Sequence, residues 1–339
     1  MKLHRAVRFL ALLLLLPVIP AALSSPSSAQ IAVGISVHIG PPALPVYEQP
    51  ICPGPGYLWT PGYWAWGDDD GYYWVPGTWV VAPVGMLWTP GYWGWAGGLY
   101  AWHAGYWGPH IGFYGGINYG FGYGGVGFVG GEWRGGAFFY NSAVMHVDTV
   151  HVTNVYVNKT VIVNNESHVA FNGGEGGVAA RPTAAEESAA REPHQAALAA
   201  QTQQEHAASQ NKAMFAANNH GAPAVAATAR PGEFSGRGAV AAKSAGAPYH
   251  APAMSPKEAR ATPAEANRAS AANHTFTPPN RGNASGANRT QNNSPANRAE
   301  NSRPQSESAK PNAAKAKPEK QSAPKRQSAP KEENRGKSR

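Results

Sequence analysis

Four copies of one six-residue pattern decide how this chain folds: Trp59-Thr60-Pro61-Gly62-Tyr63-Trp64, Trp74-Val75-Pro76-Gly77-Thr78-Trp79, Trp88-Thr89-Pro90-Gly91-Tyr92-Trp93 and Trp102-His103-Ala104-Gly105-Tyr106-Trp107. The first tryptophan steps forward by 15, 14 and 14 residues, and the glycine keeps the same steps. A fixed period of this kind marks a repeat architecture. Within Thr60-Pro61-Gly62-Tyr63, proline presets φ and glycine accepts a positive φ, the two requirements of a type II turn. Aromatic or β-branched residues recur at every second flanking position, as in strands. Taken as a two-residue hairpin loop, Pro61-Gly62 sets Trp59 opposite Trp64 and Tyr57 opposite Trp66. The same arithmetic sets Trp74 opposite Trp79, Trp88 opposite Trp93 and Trp102 opposite Trp107.

The connections extend the pattern. A loop over Gly67-Asp68-Asp69-Asp70-Gly71 puts Trp64 opposite Trp74 and Trp66 opposite Tyr72. Loops over 82–85 and 96–99 put Trp79 opposite Trp88 and Trp93 opposite Trp102. Every return keeps parity, so eight indoles (59, 64, 74, 79, 88, 93, 102, 107) would share one sheet face. The expectation is an antiparallel meander of about eight short strands over 57–109, each cross-strand aromatic pair adding roughly 0.5–1 kcal/mol. Two-residue hairpins prefer type I′ or II′ turns, and an arch in place of a hairpin would scatter this ladder. An aromatic face so large must be covered. Closure into a small barrel, the following segment, a second copy of the chain or a ligand would each do so.

Residues 110–165 continue the all-β reading. Glycine fills 12 of the 25 positions from 112 to 136, interleaved with Phe113, Tyr114, Tyr119, Phe121, Tyr123, Phe128 and Trp133. Such mixtures make irregular, bulged strands. Val144 to Asn164 alternates valine with polar residues and reads as one or two strands, with a self-association hazard at Val155 to Val163. Thr183-Ala184-Ala185-Glu186 and Thr202-Gln203-Gln204-Glu205 are capping-box patterns. They predict a short Ala-rich helix ending before Pro193 and a longer one reaching about Asn218, within 178–221. The fold class is thus all-β, with short helices following.

These residues resemble the YXWGXW-repeat (WXXGXW-repeat) family of exported bacterial proteins of unassigned function. Tyr57, Tyr72 and Tyr100 stand two before the first tryptophan of their copies, as in the longer form of that motif. Met86 departs from it in the third copy, and Ala104 replaces proline in the fourth. The resemblance covers roughly residues 31–235 and implies secretion and a repeat fold. It implies no activity and no catalytic residue.

Composition supports a narrow core. After residue 50 the only leucines are Leu58, Leu87, Leu99 and Leu198, too few for a helical bundle, a Rossmann sheet or a TIM barrel. Lys2, Arg5 and Arg8, an apolar run from Phe9 to Leu23 and Ser27-Ser28-Ala29 form the three parts of a secretory signal over 1–29. A membrane anchor would need roughly 20 apolar residues, more than this run supplies. No transmembrane segment is expected after cleavage, and the destination is the periplasm or the cell surface. A Pro-rich leader spans 30–56. Cys52 is the only cysteine, either inert or a link between chains.

Residues 30–230 carry 6 Lys+Arg against 12 Asp+Glu, whereas 231–339 carry 19 against 8. This basic stretch is rich in Ala, Pro, Asn and Lys and reads as a disordered tail. An exported basic tail meets anionic envelope polymers or glycans, not nucleic acid, or else serves as a solvated spacer.

No catalytic constellation appears. Asp68-Asp69-Asp70 lacks the spacing of a calcium loop, and His146 and His151 fall on opposite faces of a strand. Nucleophile elbow, P-loop and dinucleotide fingerprints are missing from the sequence. No metal site, no cofactor and no enzymatic activity are expected. The reading is a non-enzymatic, envelope-associated structural protein. Two alternatives remain. One is a self-assembling matrix protein, the other a wall-binding module. The binding module would stack sugars on open rings drawn from Tyr57, Trp59, Trp64, Trp66, Trp74, Trp79, Trp88, Trp93, Trp95, Trp102 and Trp107.

Overall fold

A computed structural model describes residues 33–160 and 167–274. The export signal expected over 1–29, the end of the valine-rich segment at 161–163 and the basic stretch beyond 274 lie outside the described residues.

Strand β1 (Val33–Val37) opens the described chain. The repeat region forms β2 (Tyr57–Thr60), β3 (Tyr63–Gly67), β4 (Gly71–Val75), β5 (Gly77–Val81), β6 (Leu87–Thr89), β7 (Tyr92–Ala96), β8 (Leu99–His103) and β9 (Tyr106–Gly108). These eight strands make two long hairpins. In the first, Trp59 faces Trp79, Thr60 faces Thr78, Tyr63 faces Val75 and Trp64 faces Trp74. A single register runs from base to tip, although both arms break at the same level, at Pro61-Gly62 and at Pro76-Gly77. The second hairpin repeats the plan. Trp88 faces Trp107 and Trp93 faces Trp102, with Pro90-Gly91 across from Ala104-Gly105.

The meander is thereby corrected. Trp59 does not face Trp64, Trp74 does not face Trp79, and Trp79 does not face Trp88. The Pro-Gly steps are arches that carry each arm onward, because proline removes a ladder donor and ends pairing there. Base and tip of each hairpin fall into separate sheets, and the described strands close no barrel. Three pairings agree with the loop arithmetic, Trp64 with Trp74, Trp66 with Tyr72 and Trp93 with Trp102. Their loops are true hairpin turns. Gly97 and Gly98 both have positive φ, 57° and 86°, as a two-residue type I′ connection requires.

Beyond the repeat come β10 (Asn118–Gly120), β11 (Tyr123–Gly124), β12 (Gly131–Arg134), β13 (Ala137–Asn141), β14 (Val155–Tyr156) and β15 (Phe171–Asn172). Then follow α1 (Ala184–Ala189), α2 (Ala199–Ser209), α3 (Ala216–Asn219), β16 (Ala227–Thr228), β17 (Ala239–Val240), α4 (Pro256–Ala259) and α5 (Pro263–His274). The base of the first hairpin widens into the sheet β17-β16-β5-β2, and the tip of the second into β1-β8-β7-β15.

Cover for the aromatic face comes from within the chain. One core cluster unites the indoles with Tyr114, Ile117, Tyr123, Phe138 and Tyr140 of the Gly/aromatic segment. A second cluster packs Tyr73 and Val75 of β4 under Ala208, Met214 and Phe215.

The capping box at Thr183 and Glu186 opens α1 as the sequence predicts. Helix α2 instead begins after Leu198. Gln201 Oε1 accepts both the Leu198 N–H and the Trp107 indole N–H, so a tertiary contact moves the start away from Thr202.

The Pro-rich leader and part of the basic stretch also belong to the folded body. Ala43 and Pro50 carbonyls accept the indole N–H groups of Trp64 and Trp79. Ser244 bridges to Val46, and the Ala261 N–H donates to the Ser36 carbonyl. Ala261 and Ala269 pack against Leu99. The reading of 231–274 as tail is corrected on these grounds: backbone bridges and small alanine contacts hold it where apolar area alone would not.

Candidate functional site

The four repeat glycines sit where opposing arms come closest. A Cβ on Gly77 would stand 2.6 Å from Trp59 Cζ2 and 2.9 Å from the Gly62 nitrogen. On Gly62 it would overlap Trp74 Cζ2, on Gly91 it would reach 2.5 Å from Trp102 Cζ2, and on Gly105 2.6 Å from Trp88 Cζ2. Each first tryptophan therefore lies on the glycine of the opposite arm, and the relation is reciprocal within each hairpin. None of these glycines has a positive φ. The type II turn is corrected accordingly, since the glycine serves a close approach and not a left-handed backbone.

The indoles meet in cross-strand pairs. Trp59 and Trp79 lie 5.4 Å apart at 67°, and Trp64 and Trp74 lie 5.2 Å apart at 67°. Trp88 with Trp107 and Trp93 with Trp102 are tilted pairs at 5.4 and 5.5 Å. Such pairs contribute about 0.5–1.5 kcal/mol each beyond burial. Tyrosine hydroxyls occupy backbone carbonyls left beside the arches. Tyr119 donates to Gly91 O at 2.6 Å, and Tyr123 reaches Trp88 O at 2.9 Å and Trp59 O at 3.3 Å, bridging the two hairpins.

All four arches border one narrow cleft of about 100 Å³, where Pro61, Pro76, Pro90 and Ala104 meet Gln204 and Glu205 of α2. Burial pushes the Glu205 carboxyl up, partly offset by the Tyr63 hydroxyl. Gln204 is fully engaged, donating to Pro76 O and accepting from Gly232 N. The cleft is a packing seam with one protonatable acid in it.

Of the ring residues singled out from the sequence, Trp59, Trp64, Trp66, Trp74, Trp79, Trp88, Trp93 and Trp107 are buried. Tyr57 and Trp102 are half-buried, and Trp102 has one face stacked on Tyr63 at 5.0 Å and 17°. Only Trp95 among them is exposed, at 42%. The structure thus gathers these side chains into a core with a single indole open to solvent. Elsewhere, Asp68 and Asp69 of the acidic turn pair with Arg260 and Lys257. His103 stacks on Tyr92 at 4.5 Å, and burial lowers its pKa to about 4. No group of three His, Cys, Asp or Glu placed to hold a metal occurs among the described residues.

A concavity that sequence reasoning did not anticipate lies at the tip of the first hairpin. It measures about 670 Å³ and is lined by Pro41, Trp66, Asp70, Tyr72, His220 and Tyr249, among others. Tyr72 is fixed there by donation to Ile39 O at 2.7 Å and by an edge contact with Trp66 at 4.8 Å. The only sequence signal for it was the acidic turn that forms part of its rim.

Residues 54–80 and 84–107 match the family model of the WXXGXW repeat, in two copies. The chain carries the WXXGXW repeat. Each matched copy of the WXXGXW repeat coincides with one hairpin, and so contains two of the six-residue motifs. In the WXXGXW repeat of this chain the first tryptophan covers the partner glycine and the second fills the paired position beyond the arch. Ala104 stands at the fourth arch in place of proline without altering the register. No curated protein and no solved structure matched the chain.

Proposed function

We propose that the chain is a non-enzymatic, exported scaffold protein of the cell envelope, in which the WXXGXW hairpins supply a rigid aromatic core. What supports the reading is the use of the repeat's own side chains. The tryptophans and glycines that define the motif are consumed in mutual packing, and an indole held at a buried cross-strand pair is not available to stack on a sugar ring. The signal pattern of residues 1–29 supports export.

Two measurements test the reading. Tryptophan emission of the purified chain should be blue-shifted and unchanged on titration with soluble peptidoglycan fragments or neutral oligosaccharides. A saturable emission shift would instead favour an aromatic binding surface. Fractionation of bacteria expressing the full chain should place it in the envelope, and a cytosolic pool would overturn the localisation.

A further inference from the structure

We propose that the 670 Å³ groove at the tip of the first hairpin binds a proline-rich peptide bearing lysine or arginine, held as a polyproline II helix. The inference goes beyond the scaffold role and does not depend on it.

Three complementary features carry it. First, Trp66 is buried, at 6% exposure, lines the groove, and has an indole N–H with no acceptor among the described residues. That N–H is closed to solvent, so a ligand carbonyl reaches it, and removes the desolvation cost of a buried donor without a partner, only as the rim around Trp66 shifts. A polyproline II strand has no internal hydrogen bonds, so its carbonyls are free to accept. Second, Asp70 faces the groove and makes no hydrogen bond or ion pair among the described residues, whereas its neighbours Asp68 and Asp69 are already paired with Arg260 and Lys257. One uncompensated carboxylate at the rim asks for one ligand cation. Third, the walls are ridges of Pro41, Pro42, Pro248 and Pro252 with the rings of Tyr72 and Tyr249. Aromatic and proline ridges are the surface on which proline-rich segments dock, their preset backbone lowering the entropy cost.

The rim itself is built to admit a chain. The segment from Ala245 to Met254 forms one side of the groove and makes no backbone hydrogen bond among the described residues. Its two ends are fixed, by the Val46–Ser244 bridge and by the Ser255–Glu258 capping box. It is a strap anchored at both ends, with its peptide groups free. A saccharide would need several planar polar side chains around its hydroxyls. Here the polar side-chain groups are those of Asp70, His220, Tyr249 and His250, the enclosed Trp66 indole N–H and the Tyr72 hydroxyl already bound to Ile39 O, and the remainder are apolar.

The test is fluorescence anisotropy of the full chain with a labelled Ala-Pro-Lys-Pro peptide repeated three times. Controls are an equally charged Ala-Gly-Lys-Gly peptide and an acidic Ala-Pro-Glu-Pro peptide. Saturable binding is expected for the first, at least tenfold tighter than for either control. Asp70→Lys should weaken it three- to tenfold and improve binding of the acidic peptide. Asp69→Lys, on the same turn but outside the groove, should change it less than twofold. Trp66→Phe, checked for fold by circular dichroism, should also weaken it. No saturable binding, equal affinity for the glycine control, or equal losses in the two aspartate variants would overturn the proposal. So would displacement of the peptide by chitotetraose, which would make the groove a glycan site.

Discussion

Gly62→Ala places the reciprocal packing of the repeat under direct test. The added methyl would overlap the six-membered ring of Trp74 at Cζ2 and stand 2.8 Å from the Gly77 nitrogen. The indole cannot simply swing away, because Trp74 is fully buried, paired with Trp64 and tied by its N–H to Ala226 O at 2.9 Å. The second obstacle is backbone, which moves only with its strand. Overpacking a tight core costs about 1–3 kcal/mol, and a site walled by both a locked ring and a main chain belongs at the upper end. We expect about 2–3 kcal/mol, or a urea midpoint lowered by about 1 M at a slope of roughly 2 kcal/mol/M. Gly124→Ala, where no atom lies within 4 Å and φ is not positive, is the matched control and should stay within about 0.5 kcal/mol. Combining Gly62→Ala with Trp74→Phe removes Cζ2 but not the Gly77 nitrogen. The double variant should therefore cost less than the sum of its parts by about 0.5–1.5 kcal/mol. Urea unfolding followed by tryptophan emission and far-ultraviolet dichroism reads the parent and the four variants, Trp74→Phe alone among them. Gly62→Ala within 0.5 kcal/mol of the parent would refute the idea that close approach explains this glycine.

Other outcomes follow from the same geometry. Tyr123→Phe removes the hydroxyl that joins Trp59 O and Trp88 O, and should cost about 1–3 kcal/mol in urea unfolding, with both hairpins losing amide protection together. His103 has its pKa lowered to about 4 from an ordinary 6.5 by burial, so the unfolded chain takes up the proton first as pH falls. Its contribution to stability is complete above 6.5 and is lost between 6.5 and 4, and His103→Gln should flatten unfolding free energy against pH in that window. Burial raises the phenols of Tyr47, Tyr92 and Tyr119, so the folded chain holds those protons and loses stability as pH climbs past about 10. Absorbance at the tyrosinate band should then rise with unfolding, in one cooperative step for these residues.

Part of this architecture was legible in residue order, and the rest was hidden for definable reasons. Trp64 opposite Trp74 and Trp93 opposite Trp102 follow from short loops whose residues allow a single return. Thr183 and Glu186 announce a helix start through a purely local hydrogen-bond exchange. The Pro-Gly steps misled because glycine answers two different needs, a positive φ and the absence of a Cβ, with the same letter. Only the opposing strand distinguishes them. Helix α2 starts early because Gln201 is held by Trp107, a residue 94 positions away. The stretch from 231 to 274 looked unable to fold since its apolar content is low. Its retention depends on bridges such as Val46 to Ser244, which composition does not encode. The groove was invisible for a related reason, being assembled from four segments that share no motif.

The reciprocal arrangement of ring and glycine has a consequence for how such chains lengthen. A solitary motif supplies one arm, with a ring lacking its glycine and a glycine lacking its ring. Growth by a single motif would leave both orphaned, so duplication or engineering must proceed in couples, each insertion bringing a whole two-armed block of about 28 residues. Odd numbers of copies should force the surplus arm to seek its complement in another molecule.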